Sequence, residues 1–242
     1  MKLSAEALTL GFPGRTLCRG LSLAIAPGEC WAVLGNNGSG KTTLMHVLAG
    51  VRSPLSGIVR ADDSPLAQLG AAARAQRIGL LLQEEPAQFW GTVLDYVALG
   101  RYPHRRALLG RDPTAEQLAR AHLDRMDLGT LAGRALATLS GGERQRARLA
   151  LVLTQDPVVY LLDEPLQQLD LRHQLQTLDC FTTLAHTAGR AVVMALHDPV
   201  VARRRCDHAV LLYDGESPLA GPAERVLTSE NLERLYGVPL PL

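Results

Sequence analysis

Aromatic residues are scarce: three Phe, five Tyr and two Trp make up 4% of 242 positions. The apolar content is instead largely Leu, Ala and Val, which suits a buried parallel sheet covered by helices. Charge of one sign is also missing. Twenty-five Lys and Arg stand against 24 Asp and Glu, a net charge of +1, so no global field calls for a nucleic-acid partner. The arginine clusters Arg105-Arg106 and Arg203-Arg204-Arg205 read as solvated faces. The four cysteines, Cys18, Cys30, Cys180 and Cys206, make no Cys-x-x-Cys pair and no zinc spacing. Reduced thiols of a cytosolic protein are expected. No apolar run approaches the ~20 residues needed to cross a bilayer. Met1-Lys2-Leu3-Ser4-Ala5-Glu6 has neither the apolar core nor the cleavage site of a signal peptide. A role at a membrane would need another subunit to provide the membrane part. Internal repeats, low-complexity tracts and linkers are absent too.

What is present is an alternation of short apolar runs with helical patterns, the mark of βαβ units. Strands are expected at residues 3–10, 21–25, 30–34, 78–82, 158–162, 191–196 and 209–212, with a turn at Pro27-Gly28 and a helix over 41–49 that Gly50 ends. Between about 83 and 156 the pattern is helical, at 93–99, 114–126 and 142–155. The stretch from Tyr102 to Pro113 reads as loop. After an Asp214-Gly215 turn come helices at 223–227 and 229–236. We therefore expect one α/β domain over 1–242, with a core of about 1–83 and 157–242 and an inserted helical subdomain of about 84–156.

Gly35-Asn36-Asn37-Gly38-Ser39-Gly40-Lys41-Thr42 matches Gly-x-x-x-x-Gly-Lys-Thr in full, after a strand and before a helix. Glycines let backbone N–H groups turn inward around phosphate oxygens, and the helix N-terminus adds partial positive charge. Lys41 can reach the β- and γ-phosphates and the Thr42 hydroxyl can ligate Mg²⁺. Thr43 belongs to the same nucleotide-binding set. Downstream, Val158-Val159-Tyr160-Leu161-Leu162-Asp163-Glu164 ends an apolar strand in two acids. The first can hold Mg²⁺ through water, and the second can orient or deprotonate an attacking water. Ser140-Gly141-Gly142-Glu143 has the form of a capping box. Two successive glycines weaken a helix start by roughly 1 kcal/mol each, which makes sense where the backbone must approach something closely, such as a docked anion.

Leu139-Ser140-Gly141-Gly142-Glu143 between that phosphate loop and those acids resembles the nucleotide-binding subunits of ABC transporters, over essentially the whole chain. The resemblance implies a P-loop NTPase fold, with a RecA-like parallel-sheet core, N-terminal antiparallel strands and a helical subdomain. It also implies ATP and Mg²⁺ as ligands and a head-to-tail homodimer, in which Ser140, Gly141 and Gly142 contact the γ-phosphate held by the other copy. In order along the chain, Phe12 resembles the aromatic that stacks on adenine and Gln83 the glutamine that senses Mg²⁺ and links to the permease. Asp170 resembles the D-loop aspartate, and His197 the switch histidine that contacts the γ-phosphate. Glu164, His197 and Gln83 would be catalytic; Thr42, Gln83 and Asp163 would hold the metal. One departure stands out: Gln167-Gln168 replaces the small pair that usually precedes the D-loop Leu-Asp.

Three further segments resemble importers of iron chelates, haem and vitamin B12. They are Val97-Ala98-Leu99-Gly100-Arg101-Tyr102-Pro103-His104, Leu169-Asp170-Leu171-Arg172-His173-Gln174, and Asn231-Leu232-Glu233-Arg234-Leu235-Tyr236-Gly237-Val238. The implied role is ATP-driven uptake through a separate integral membrane permease, fed by a periplasmic or surface substrate-binding protein. The subunit would be peripheral, on the cytoplasmic face of the plasma membrane. Phe89-Trp90 either helps cradle a permease helix or fills the small lobe's core. Alternatives are an ABC ATPase for another cargo and a non-transport ABC ATPase acting on nucleic acid. Against the latter, this sequence shows neither the long coiled-coil insertion nor the second domain those members carry. An ATP-dependent kinase sharing only the phosphate loop would leave the signature and His197 unexplained.

Overall fold

The computed structural model describes residues 1–82, 89–105 and 113–239. The strands are β1 (Leu3–Phe12), β2 (Arg15–Ile25), β3 (Cys30–Gly35), β4 (Ser56–Ala61), β5 (Ser64–Pro65), β6 (Ile78–Leu81), β7 (Val159–Asp163), β8 (Ala191–Ala195), β9 (His208–Leu212) and β10 (Leu219–Pro222). The α-helices are α1 (Lys41–Leu48), α2 (Ala71–Arg77), α3 (Val93–Ala98), α4 (Pro113–Arg125), α5 (Gly141–Gln155), α6 (Leu171–Ala188), α7 (Pro199–Arg205), α8 (Ala223–Val226) and α9 (Ser229–Tyr236).

Two sheets result. The larger has the order β10-β9-β3-β8-β7-β6, parallel except for the antiparallel edge pair β9/β10. The smaller, β2-β1-β4-β5, is antiparallel. β3 is buried throughout because it serves two cores. Cys30, Ala32 and Leu34 face a core completed by α3, α4, α5 and α6. Trp31 and Val33 face the other, shared with β1, β2 and α1. This is the alternation of a strand covered on both faces. The parallel core, the antiparallel N-terminal sheet and the helical stretch between β6 and β7 make up the P-loop NTPase architecture expected from the sequence.

Several elements escaped the sequence pattern. The 18-residue α6 is one. Leu178, Phe181 and Ala185 form its buried stripe, but Leu171 is 71% exposed and Leu175 44%, which blurs the helical period. The short α2 and α7 and the strands β4, β5 and β10 were also not expected. Tyr102-Pro103-His104 is not loop: it lies in a 3₁₀ helix, Leu99–His104, whose end is pinned where His104 Nε2 meets the Gln155 carbonyl at 2.9 Å. Phe89 packs edge-on to Tyr96 with centroids 5.5 Å apart, whereas Trp90 is 90% exposed, which removes the reading of Trp90 as core.

Tyr160 of β7 and Phe181 of α6 meet edge to face, centroids 5.5 Å apart, both almost without exposure. Phe181→Ala is expected to cost about 3–5 kcal/mol, measured as a drop in the urea midpoint at unchanged slope.

Candidate nucleotide site

β3 delivers Gly35 to the end of the parallel sheet between β8 and β9, and the chain turns through Asn36–Gly40 into α1. Gly38 and Gly40 have φ of 81° and 106°, a region open to glycine at no steric cost. Gly35 is demanded by close approach instead: a Cβ there would lie 2.3 Å from Ser39 Oγ and 2.9 Å from the Leu212 carbonyl oxygen. Lys41 is buried, and its Nζ donates to the carbonyls of Gly35 (2.9 Å) and Asn36 (3.3 Å). Burial lowers its pKa, against the pull of the Glu164 and Asp163 carboxylates. The Asn36 side-chain amide donates to the Leu235 carbonyl of α9 at 2.8 Å.

β7 ends on Asp163, which is 1% exposed. Neither of its oxygens has a hydrogen bond of ordinary geometry, although the neighbouring Thr42 hydroxyl eases its ionised form. Burial dominates and raises its pKa, Glu164 adds to the rise, and Lys41 opposes it. A buried carboxylate with unsatisfied oxygens beside a hydroxyl is a donor set suited to a hard cation. Among the described residues no cluster of three or more His, Cys, Asp or Glu could hold a metal by itself. Phosphate and water oxygens would have to complete the shell.

Glu164 takes φ = 50°, unusual for a residue with a Cβ. The turn that aims it is held from α5: Gln145, itself buried, donates to the carbonyls of Pro165 (3.1 Å) and Glu164 (3.4 Å). The Gln145 amide oxygen in turn accepts from Arg148 at 2.9 Å, and Arg148 also donates to the Leu82 carbonyl. His197, after β8, places Nε2 2.9 Å from Glu164 Oε1.

One cleft of about 570 Å³ is lined by Asn37, Gly38, Gly40, Lys41, Thr42 and Thr43 of the loop and α1 together with Glu164, His197 and Phe12. Phe12 is half-exposed, and the guanidinium of Arg52 sits 4.1 Å from its ring centre. Arg15 and Leu17 also line the cleft and were not singled out in the sequence, and so does Gln167, noted there only as a departure in the D-loop. Arg15 could have been found as the cross-strand partner of Phe12 around the tight Pro13-Gly14 turn. Gln145 had no such signal.

Ser140, Gly141, Gly142 and Asp170 do not line this cleft. Ser140 caps α5 in a complete capping box with Glu143. The two glycines meet the chain's own D-loop: a Cβ on Gly141 would lie 2.6 Å from the Gln168 amide oxygen, and one on Gly142 2.8 Å from the Gln168 carbonyl. The close approach inferred from the glycine pair is thus at least partly internal. Asp170 caps α6, accepting from the His173 backbone and imidazole at 2.9 Å, which lowers its pKa. Gln83 lies outside the described residues.

The ABC transporter family model matches residues 18–167. The chain belongs to the ABC transporter family. It is 40% identical to a hemin import ATP-binding protein of Bordetella parapertussis, over 98% of this chain and 93% of that protein. It is 35% identical to the ferric enterobactin transport ATP-binding protein of Escherichia coli, over 98% and 88%. Among solved structures, a chain from a metal-chelate type ABC transporter in an inward-facing conformation superposes with a TM-score of 0.84 at 31% identity, covering 98% of this chain and 89% of that one. A dimeric ATP-binding cassette in a post-hydrolysis state, bound to ADP and Pi, gives 0.82 at 25%, covering 91% and 98%.

Because burial raises the Asp163 pKa, the folded protein holds that proton more tightly than the unfolded chain does. Stability from this group is therefore greatest when it is protonated, and falls as pH rises from the ordinary carboxylate range through the raised value. Asp163→Asn is expected to raise the melting midpoint of the nucleotide-free protein by about 2–4 °C at neutral pH and to flatten its fall with pH. An unchanged midpoint in differential scanning calorimetry would remove the penalty assigned to Asp163.

Proposed function

We propose that this ABC subunit hydrolyses ATP to power import of a metal chelate, of the class of haem, ferric siderophores and vitamin B12, through a separate transmembrane permease. The observation that carries the hydrolytic part is the 2.9 Å Glu164–His197 pair in the same cleft as the phosphate loop. The chelate class is supported by the similarity to hemin and ferric enterobactin import proteins and to a metal-chelate type transporter.

The reaction is in-line attack of water on the γ-phosphoryl group, helped mainly by positioning and charge. Lys41 leaves the carbonyls of Gly35 and Asn36 for the β- and γ-phosphate oxygens. The amides of the loop and of the start of α1 surround the rest of the phosphate chain, and adenine stacks on the free face of Phe12. Thr42, Asp163 and Gln83 would hold Mg²⁺, which when bound would supply positive charge against that of the phosphate chain. Glu164 orients the water and takes its proton. His197, now at Glu164 Oε1, turns to the γ-phosphate.

Ser140, Gly141, Gly142 and Asp170 lie outside the cleft, so within one chain they cannot serve it. A head-to-tail second copy would bring them over the γ-phosphate, a reading supported by the likeness to a dimeric cassette. Among the described residues no helix is long and apolar enough to cross a membrane. We assign the permease contact to the helical subdomain of about 84–156, where the exposed indole of Trp90 offers an apolar anchor. The subunit then sits peripherally on the cytoplasmic face of the membrane, below a substrate-binding protein on the opposite side.

Glu164→Gln is expected to bind ATP normally, to lose at least about 100-fold in turnover and to elute as an ATP-bound dimer in size-exclusion chromatography. Turnover at the wild-type rate would overturn the general-base assignment. For the cargo, ATPase activity of the subunit reassembled with its permease should rise when binding protein loaded with haem, a ferric chelate or cobalamin is added. Stimulation only by an unrelated cargo would refute the chelate class.

A further inference from the structure

Asn36 opens the phosphate loop, yet its side chain does not cap its own turn, as an asparagine in such a place commonly does. It reaches 199 positions along the chain to the Leu235 carbonyl, at 2.8 Å. That oxygen belongs to the last turn of α9, where helix carbonyls have no partner within the helix. The Asn36 carbonyl in turn accepts from Lys41 Nζ at 3.3 Å. A continuous chain of hydrogen bonds therefore runs from the C-terminal helix through Asn36 to the phosphate-binding lysine.

α9 is firmly seated. Leu232 and Leu235 are buried in the larger core. Thr228 caps its start, accepting from the Asn231 amide, and the Tyr213 hydroxyl donates to the Asn231 carbonyl. Arg234 lies over the Tyr213 ring, 4.4 Å from its centre, and pairs with Glu216 at 2.5 Å. Tyr213 directly follows β9, a neighbour of β3 in the sheet. Tyr236, the residue after Leu235, buries its hydroxyl without a partner among the described residues. Its proton is held by that burial and by the charge of Asp198, the residue after His197. The last turn of α9 thus meets the phosphate loop directly, at Asn36.

We infer that the last turn of α9 positions the phosphate loop through the Asn36–Leu235 hydrogen bond, so that the C-terminal helix sets the affinity of the cleft for nucleotide. Asn36 and Leu235 are positioning residues here, acting through the loop backbone and Lys41. This rests on the cleft being the ATP site. It goes beyond that reading in making nucleotide affinity depend on an element that does not line the cleft.

The test is a two-by-two comparison of Mg²⁺-dependent binding of a fluorescent ATP analogue. The four proteins are the full chain, Asn36→Ala, a chain ending at Arg234, and the two changes combined. Each single change is expected to weaken binding about fivefold, the worth of one net hydrogen bond. The combination should be no weaker than about fivefold, because both changes remove the same link. Wild-type affinity in the shortened chain, or effects that multiply to about 25-fold, would overturn the inference. Amide hydrogen exchange on the full-length pair covers the case in which the shortened chain does not fold. Asn36→Ala should speed exchange at the end of α9, and unaltered exchange there would overturn the inference as well. Lys41→Ala, measured alongside, tests the ATP site separately: analogue binding that survives that change would strike at the site reading and not at the link to α9.

Discussion

β3 has to be buried on both faces, and the loop that leaves it has to present backbone to a phosphate chain. Its alternate side chains belong to two different cores, so its end cannot shift without disturbing both. That rigidity lets Gly35 sit where a single added carbon would meet Ser39 Oγ and the Leu212 carbonyl. It also keeps Lys41 on the loop's own carbonyls. β8 lies in parallel register beside β3 and β7 beside β8, which brings Asp163, Glu164 and His197 to the same end of the sheet.

Polar side chains do much of the fine positioning around this frame. Gln145 fixes the turn that aims Glu164, Arg148 ties the same helix to Leu82 and so to the strand before Gln83, and Asn36 ties the phosphate loop to α9. Each is an amide or guanidinium satisfying backbone carbonyls that strands and helices leave over at their ends. The cost of leaving such carbonyls unpaired in a buried setting makes these links stiff. Asp163 is the exception, a buried carboxylate without ordinary hydrogen bonds beside the Thr42 hydroxyl.

The signature glycines make room for a neighbouring loop of the same chain. Gly141 and Gly142 leave space for Gln168 of the same chain, at the position where the usual small D-loop residue has been replaced. A long amide in the D-loop is accommodated because the signature backbone has no side chain to oppose it. Signature helix and D-loop therefore pack as one unit with the turn that carries Glu164, since Gln145 lies on the same helix.

Much was legible in the chain alone. The phosphate loop, the acids after β7, the histidine after β8 and the signature are local patterns, and their order was enough to point to the family, the ATP-binding role and the alternation of strands and helices. Local chemistry dictates them: glycine where φ is positive, apolar runs where a strand is covered on both faces, a capping residue where a helix starts. Helix α6 was hidden because exposed leucines blur its stripe, and the 3₁₀ turn at Tyr102-Pro103-His104 because two prolines suggested loop. The Arg52 guanidinium on Phe12, the grip of Gln145 on the Glu164 turn, the seating of Gln168 on Gly141 and Gly142 and the reach of Asn36 to Leu235 were settled only by the tertiary structure. These contacts join residues far apart in the chain or across elements, and no local period or propensity encodes which side chain will be left facing which unpaired carbonyl once the sheet and helices have packed.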